Sequence, residues 1–248
     1  CRSPTNKGGT LQAGATTTLL NGGLNNAGGQ VFGNSLSVDT RGQALDNSAK
    51  GTLAAITTVH VNSGALNNDT GLIQSGGAMT IDTNGQALTN TNAEGYRSKP
   101  EDAPGGITSA DTLTLTNVGD LNNAAGFIGA KNALDASTQA FTNTGGGQVL
   151  GQSTVTIDTH GAAYDNTGGQ TLAVGDLRIN AGTLTNTGGL IRSMATATLH
   201  AGSVVNTSTQ GAEQGIEGQN VDITAQSIGN ASGDIRAGTR PVRAGMIG

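Results

Sequence analysis

The chain has 248 residues, of which only 48 are Leu, Ile, Val or Phe. That is close to the apolar content at which chains stop folding, but a net charge of −5 is too small for a charge-driven disordered segment. Trp is absent, there are two Tyr and three Phe, and 12 basic residues face 17 acidic ones. Aromatic platforms for single-stranded nucleic acid are therefore missing, and no electrostatic case exists for phosphate-backbone binding. The single cysteine, Cys1, excludes an internal disulfide, and no apolar run is long enough to span a membrane or reads as a signal peptide.

Residues 1–15, with Pro4, Lys7 and paired glycines, read as a partial unit or frayed end. From Thr16 onward one phrase recurs: an apolar residue, a spacer, an asparagine, a glycine turn and another apolar residue. Its asparagines are Asn26, Asn47, Asn68, Asn90, Asn123, Asn143, Asn166, Asn186, Asn206 and Asn230, with gaps of 21, 21, 22, 33, 20, 23, 20, 20 and 24 residues. A period of this length signifies one structural unit stacked on itself.

Three apolar patches recur in each unit. The first precedes the asparagine: Leu24, Leu45, Leu66, Leu88, Leu121, Phe141, Tyr164, Leu184, Val205 and Ile228. The second follows the glycine turn: Val31, Leu53, Ile73, Ile107, Ile128, Val149, Leu172, Ile191, Ile216 and Ile235. The third is an alternating pair, as in Val155-Thr156-Ile157-Asp158, and period-two alternation marks a strand. Three short strands per unit leave no room for helices. The expected fold is all-β: a right-handed parallel β-helix over residues 16–235, with about ten coils of 20–24 residues. Strand spacing gives it a length of roughly 50 Å.

The asparagine column then reads as a ladder, each amide bonding to copies in neighbouring coils and to turn backbone groups. The glycines after it read as suppliers of positive φ. Asp39-Thr40-Arg41-Gly42, Asp82-Thr83-Asn84-Gly85 and Asp158-Thr159-His160-Gly161 read as a third corner two residues longer than elsewhere, with Asp capping an Asx turn. Asp39 and Asp82, two coils apart, also suit a glycoside-hydrolysing carboxylate pair; turn chemistry accounts for them more simply.

The 33-residue gap holds an inserted loop, 93–106, with Glu94, Tyr96, Arg97, Lys99, Glu101 and Asp102 as candidate partner-binding residues. Insertions in solenoids project from one face and often carry binding. A smaller polar loop runs from Thr207 to Gly215. Residues 236–248, with Arg236, Arg240, Pro241 and Arg243, read as a degenerate coil or linker, and the whole as a section of a longer rod. His60, His160 and His200 show no metal spacing, and no nucleotide, zinc or nucleophile-elbow motif occurs. No catalytic residue, metal or cofactor is expected. Three glycosylation sequons start at Asn68, Asn206 and Asn230, where the ladder is expected to bury the acceptor.

The phrases Gly23-Leu24-Asn25-Asn26-Ala27-Gly28-Gly29, Ala65-Leu66-Asn67-Asn68-Asp69-Thr70-Gly71-Leu72-Ile73 and Thr183-Leu184-Thr185-Asn186-Thr187-Gly188-Gly189-Leu190-Ile191 resemble haemagglutinin repeats of the filamentous haemagglutinin family. That family includes the contact-dependent growth-inhibition exoproteins. The resemblance covers residues 16–235. It implies a rod segment of a large Gram-negative exoprotein at the cell surface, exported by two-partner secretion through an outer-membrane transporter and meeting a receptor on a target cell. The family's Asn-Pro-Asn secretion motifs and the Val-Glu-Asn-Asn motif before many toxin domains do not occur, so the segment is expected to be neither export signal nor toxin. The alternatives are a β-helical polysaccharide-active enzyme and a spacer without a partner.

Overall fold

The computed structural model describes residues 4–93 and 105–238. Among them are 28 strands and no helix, hence no helix long and apolar enough to cross a membrane. Every strand pairing is parallel and joins a strand to its counterpart one coil away, which makes the chain a β-solenoid of about ten turns.

Each coil has three faces. The face after the glycine turn is one sheet of 11 strands, running from Thr10–Gln12 through Gln30–Gly33 and Leu72–Ser75 to Ile235–Ala237. The second face holds the alternating segments, such as Val59–Asn62, Met79–Asp82 and Val155–Asp158. The third is built of short strands, such as Leu66–Asn67 and Leu88–Thr89. In the last three coils the second and third faces fuse into single strands: Leu177–Thr185, Thr196–Val205 and Asn220–Gly229.

The core is a set of columns. Leu24, Leu45, Leu66, Leu88, Leu121, Phe141, Tyr164 and Leu184 stack in register, and the rings of Phe141 and Tyr164 meet edge-on with centroids 5.1 Å apart. Each fully buried aliphatic side chain contributes about 1.5–3 kcal/mol, so the thin core draws its stability from repetition.

Three residues depart from their expected places. The column continues through Val204, which is fully buried, whereas Val205 lies on the outer side opposite Thr185. On the first face, Thr171 and not Leu172 points inward: it pairs with Val149 and Ile191, and Leu172 lies outside beside Leu150. Ile228 is half exposed, on the last described coil of its face. Residues 10–12 pair in register with 30–32, and 235–237 with 216–218. Ala197 and Leu199, which the apolar pattern passes over, are the buried pair of their coil.

The paired glycines have two separate causes. The residue two after each ladder asparagine adopts positive φ, as in Gly28 (64°), Gly168 (63°) and Gly188 (61°). Thr70, Ala125, Ser208 and Ser232 tolerate the same conformation. The glycine one position later needs clearance instead. A Cβ at Gly71, Gly126, Gly169 or Gly189 would lie inside van der Waals contact with the carbonyl oxygen of the preceding coil's asparagine. At these corners positive φ therefore explains only the first glycine of the pair; after Asn143 it explains both Gly145 and Gly146, and Gly147 is the crowded one.

Gly126→Ala is expected to destabilise its coil by about 2–4 kcal/mol through backbone overlap. Gly145→Ala, at φ 60° with open space around its Cβ position, should cost about 1–2 kcal/mol. Hydrogen exchange of the local amides distinguishes the two, because repeat arrays open locally. Equal losses would mean that backbone angle rather than clearance sets the requirement.

Candidate functional site

The asparagine column is continuous. Asn26, Asn47, Asn68, Asn90, Asn123, Asn143, Asn166, Asn186 and Asn206 each donate Nδ2 to Oδ1 of the next, ending on Asn230, at 2.7–2.8 Å. Asn6 adds an earlier rung, donating to Asn26 at 2.7 Å. Most of these amides also donate to main-chain carbonyls; Asn26, for example, bonds to Gly29 and to Thr52 of the next coil, each at 3.2 Å. The ladder residues from Asn26 to Asn206 are fully buried, and Asn230 is exposed. The sequons at Asn68 and Asn206 are thus inaccessible, while the acceptor at Asn230 is open, contrary to the expectation for it.

Tyr164 ties the core to this ladder. Thr171 donates to Oδ1 of Asn166 at 3.1 Å, so the Tyr164 hydroxyl donates to Thr171. A buried phenol requires a partner, which is why threonine replaces the usual aliphatic residue on the facing wall. Burial pushes the phenol's pKa well above its ordinary value, and the charge of Asp165 acts in the same direction. Hydrogen bonding with Thr171 and Asn143 opposes the rise without cancelling it.

The Asp-Thr-x-Gly corners are built alike. Asp39, Asp82 and Asp158 accept through Oδ1 from the backbone N–H two residues on, at 2.7, 2.7 and 2.8 Å. The buried Thr40, Thr83 and Thr159 donate to the carbonyls of Gln43, Gln86 and Ala162. Arg41, Asn84 and His160 adopt positive φ together with the glycines that follow them. The third residue of the corner bonds back one coil: Asn84 donates to Asn62 at 2.6 Å, and His160 Nε2 pairs with the Ser137 hydroxyl at 2.8 Å. Asp39 and Asp82 flank Asn62 in register, and their carboxylates serve the turns.

Beyond Gly161 the long corner ends. Tyr164 follows Ile157 by seven positions, but Leu184 follows Ile179, and Val204 follows Leu199, by only five. The shorter coils pass beneath the overhang, with Gly182 packed against Gly161, where a Cβ would overlap the Gly161 carbonyl. The result is an open cleft of about 440 Å³ lined by Gly161, Arg178, Asn180, Ala181, His200, Ala201 and Thr224. Asn180, His200 and Thr224 form one outward column across three coils. The sequence carries no motif at Arg178, Asn180, His200 or Thr224. The detectable signal is the run of three successive short corners, Ile179 to Leu184, Leu199 to Val204 and Ile223 to Ile228, after the last Asp-Thr-x-Gly.

The candidate loop residues Glu94, Tyr96, Arg97, Lys99, Glu101 and Asp102 lie outside the described residues. The residues bracketing them, Ala93 and Gly105, are in contact, and the ladder bond from Asn90 to Asn123 spans the interval at 2.7 Å. Arg240, Pro241 and Arg243 are also outside. Arg236 is held in a strand, where it bonds to Glu217 and Asp234; Glu217, largely buried, also pairs with Arg192 at 2.7 Å. Among the described residues no group of three His, Cys, Asp or Glu side chains could hold a metal ion. No family model, curated protein or solved structure matches the chain.

Two outcomes are expected. Thr171→Val should cost about 1–3 kcal/mol by leaving the Tyr164 hydroxyl without an acceptor, and much less in a Tyr164→Phe background, as a double-mutant cycle in chemical denaturation would read. The pKa of Tyr164 is raised on folding from the ordinary value of 10.0. The stability linked to it is therefore complete below pH 10 and lost as pH climbs past it, when the unfolded chain ionises and the folded one does not. Alkaline unfolding followed by circular dichroism should be shallower in Tyr164→Phe.

Proposed function

We propose that this chain is a rod segment of a large secreted filamentous exoprotein at the surface of a Gram-negative bacterium. In this reading the segment performs no catalysis, holds extended reach by coil stacking, and presents outward side chains and insertions to other cells. Export would use an outer-membrane two-partner transporter, and the partner would be a receptor on the target cell.

The observation that supports this best is the unbroken asparagine ladder. It runs through ten successive bonds and across the 33-residue interval between Asn90 and Asn123 without a change in spacing. Such a frame transmits length and stiffness while leaving the outer surface free to vary, which suits a stalk. The likeness of its corner phrases to haemagglutinin repeats adds the cell-surface context.

The test uses the purified chain and a variant with residues 94–104 replaced by a short Gly-Ser linker. Both should keep the β-sheet circular dichroism signal. The parent is expected to bind target cells saturably and to compete with itself, and the linker variant to bind more weakly. Undiminished binding by the variant would move the contact surface elsewhere on the rod. No saturable binding, together with turnover of a neutral or acidic glycan that Asp82→Ala abolishes, would replace the proposal with the enzyme reading.

A further inference from the structure

Some outward polar groups along the rod are stitched to a neighbouring coil. Asn67 donates to Asp46, Thr91 and Asn92 donate to Asp69, and Asn132 donates to Asp111. The cleft below Gly161 gathers several that are not. Arg178, Asn180, His200 and Thr224 line it, and none of these four side chains makes a hydrogen bond or ion pair with the described residues. Oδ1 of Asn180 is shielded from water without a donor. An amide oxygen left in that state costs about 1–3 kcal/mol, which a donor supplied by a ligand would offset.

The layout limits what fits. Arg178 and Asn180 point to the same side of one strand, about 7 Å apart. Asn180, His200 and Thr224 climb the rod in register at about 4.8 Å per step. Two cation-forming side chains thus stand beside an amide and a hydroxyl, above a floor of Ala181 and Ala201. The nearest acidic neighbour, Asp158, is in register with Asn180, but its carboxylate caps the His160 turn. Asp222 lies in the Arg178 column two coils on and is exposed. No aromatic or large aliphatic side chain lines the cleft, so an apolar anchor has no seat. A volume of about 440 Å³ is within the range of small-molecule sites.

We propose that this cleft binds a carboxylated sugar residue. Arg178 takes the carboxylate in its planar fork, and His200 adds a second donor. Asn180 and Thr224 meet ring hydroxyls, each able both to donate and to accept. The loss of the long corner after Gly161 creates the site, because a coil bearing Asp-Thr-x-Gly at Asn180 would fill it. The inference holds whether or not the rod belongs to a surface filament.

Titration calorimetry of the full chain provides the test, with trigalacturonate and sialyllactose as acidic probes. The neutral counterparts are methyl-esterified trigalacturonate and lactose, and inorganic sulfate serves as the bare anion. At least one acidic probe is expected to bind, with its neutral counterpart at least about tenfold weaker, the loss of one charge-assisted bond. Arg178→Gln and Asn180→Ala should each weaken binding by at least about tenfold, with circular dichroism unchanged, whereas Arg41→Gln, on a distant corner, should leave it intact. The proposal is overturned if neither acidic probe saturates at millimolar concentration, if acidic and neutral sugars bind alike, if sulfate binds as tightly as the sugars, or if Arg178→Gln has no effect.

Discussion

Everything in this molecule follows from stacking one coil directly on the next at a single strand spacing, about 4.8 Å. At the glycine corner this brings the carbonyl of one ladder asparagine against the Cα of the residue three places after the next. Glycine answers the crowding at Gly71, Gly126, Gly169 and Gly189. The same closeness lets each amide reach its copy at 2.7–2.8 Å. Asparagine and glycine are thus two halves of one device. The amide satisfies a corner that would otherwise bury bare carbonyls, and the missing Cβ lets that corner close.

The period was legible in the sequence because each coil repeats that device, so faces, corners and most core residues could be assigned from spacing alone. The errors share a cause. The apolar pattern points to Leu172 as the inward residue, but the wall opposite Tyr164 needs an acceptor more than it needs hydrocarbon, and Thr171 supplies it. Val205 lost to Val204 because both fit an apolar slot and only register decides between them. Ala197 escaped notice as a weak apolar signal. Asn6 was missed because its coil lacks the apolar residue that announces the others.

The cleft was harder to foresee, and the reason is geometric. It consists of a difference between neighbouring coils, a step of five positions where the coil before has seven, and not of any motif. Arg178, Asn180, His200 and Thr224 come from three coils and more than forty residues of chain, and only the register brings them together. A single short corner, as between Val61 and Leu66, is followed at once by another long one, whereas below Gly161 the corner stays short for three successive coils and the overhang has open space beneath it.

A rule for insertions follows from the same crowding. In most coils the residue three after the ladder asparagine is glycine, forced by the approach of the preceding coil. Lys50 is one exception, because an extra residue there shifts the close position to Gly51; Ala93 and Thr209 are the others, and these two stand where longer insertions follow the turn. Both are buried, and Thr209 turns its hydroxyl to accept from the Asp234 amide at 3.0 Å. Where the chain leaves the corner, the tight approach is relieved and a side chain is admitted, yet the ladder asparagines Asn90 and Asn206 keep both neighbours. After the second departure, Glu217 bridges Arg192 and Arg236 across three coils of the first face. With Glu217 largely buried, removing either arginine alone would leave part of its charge uncompensated, a heavier penalty than the pairing itself is worth. The frame therefore accommodates departures of different length at one corner, with the amide staying in line and the chain re-entering on the strand that the stack dictates.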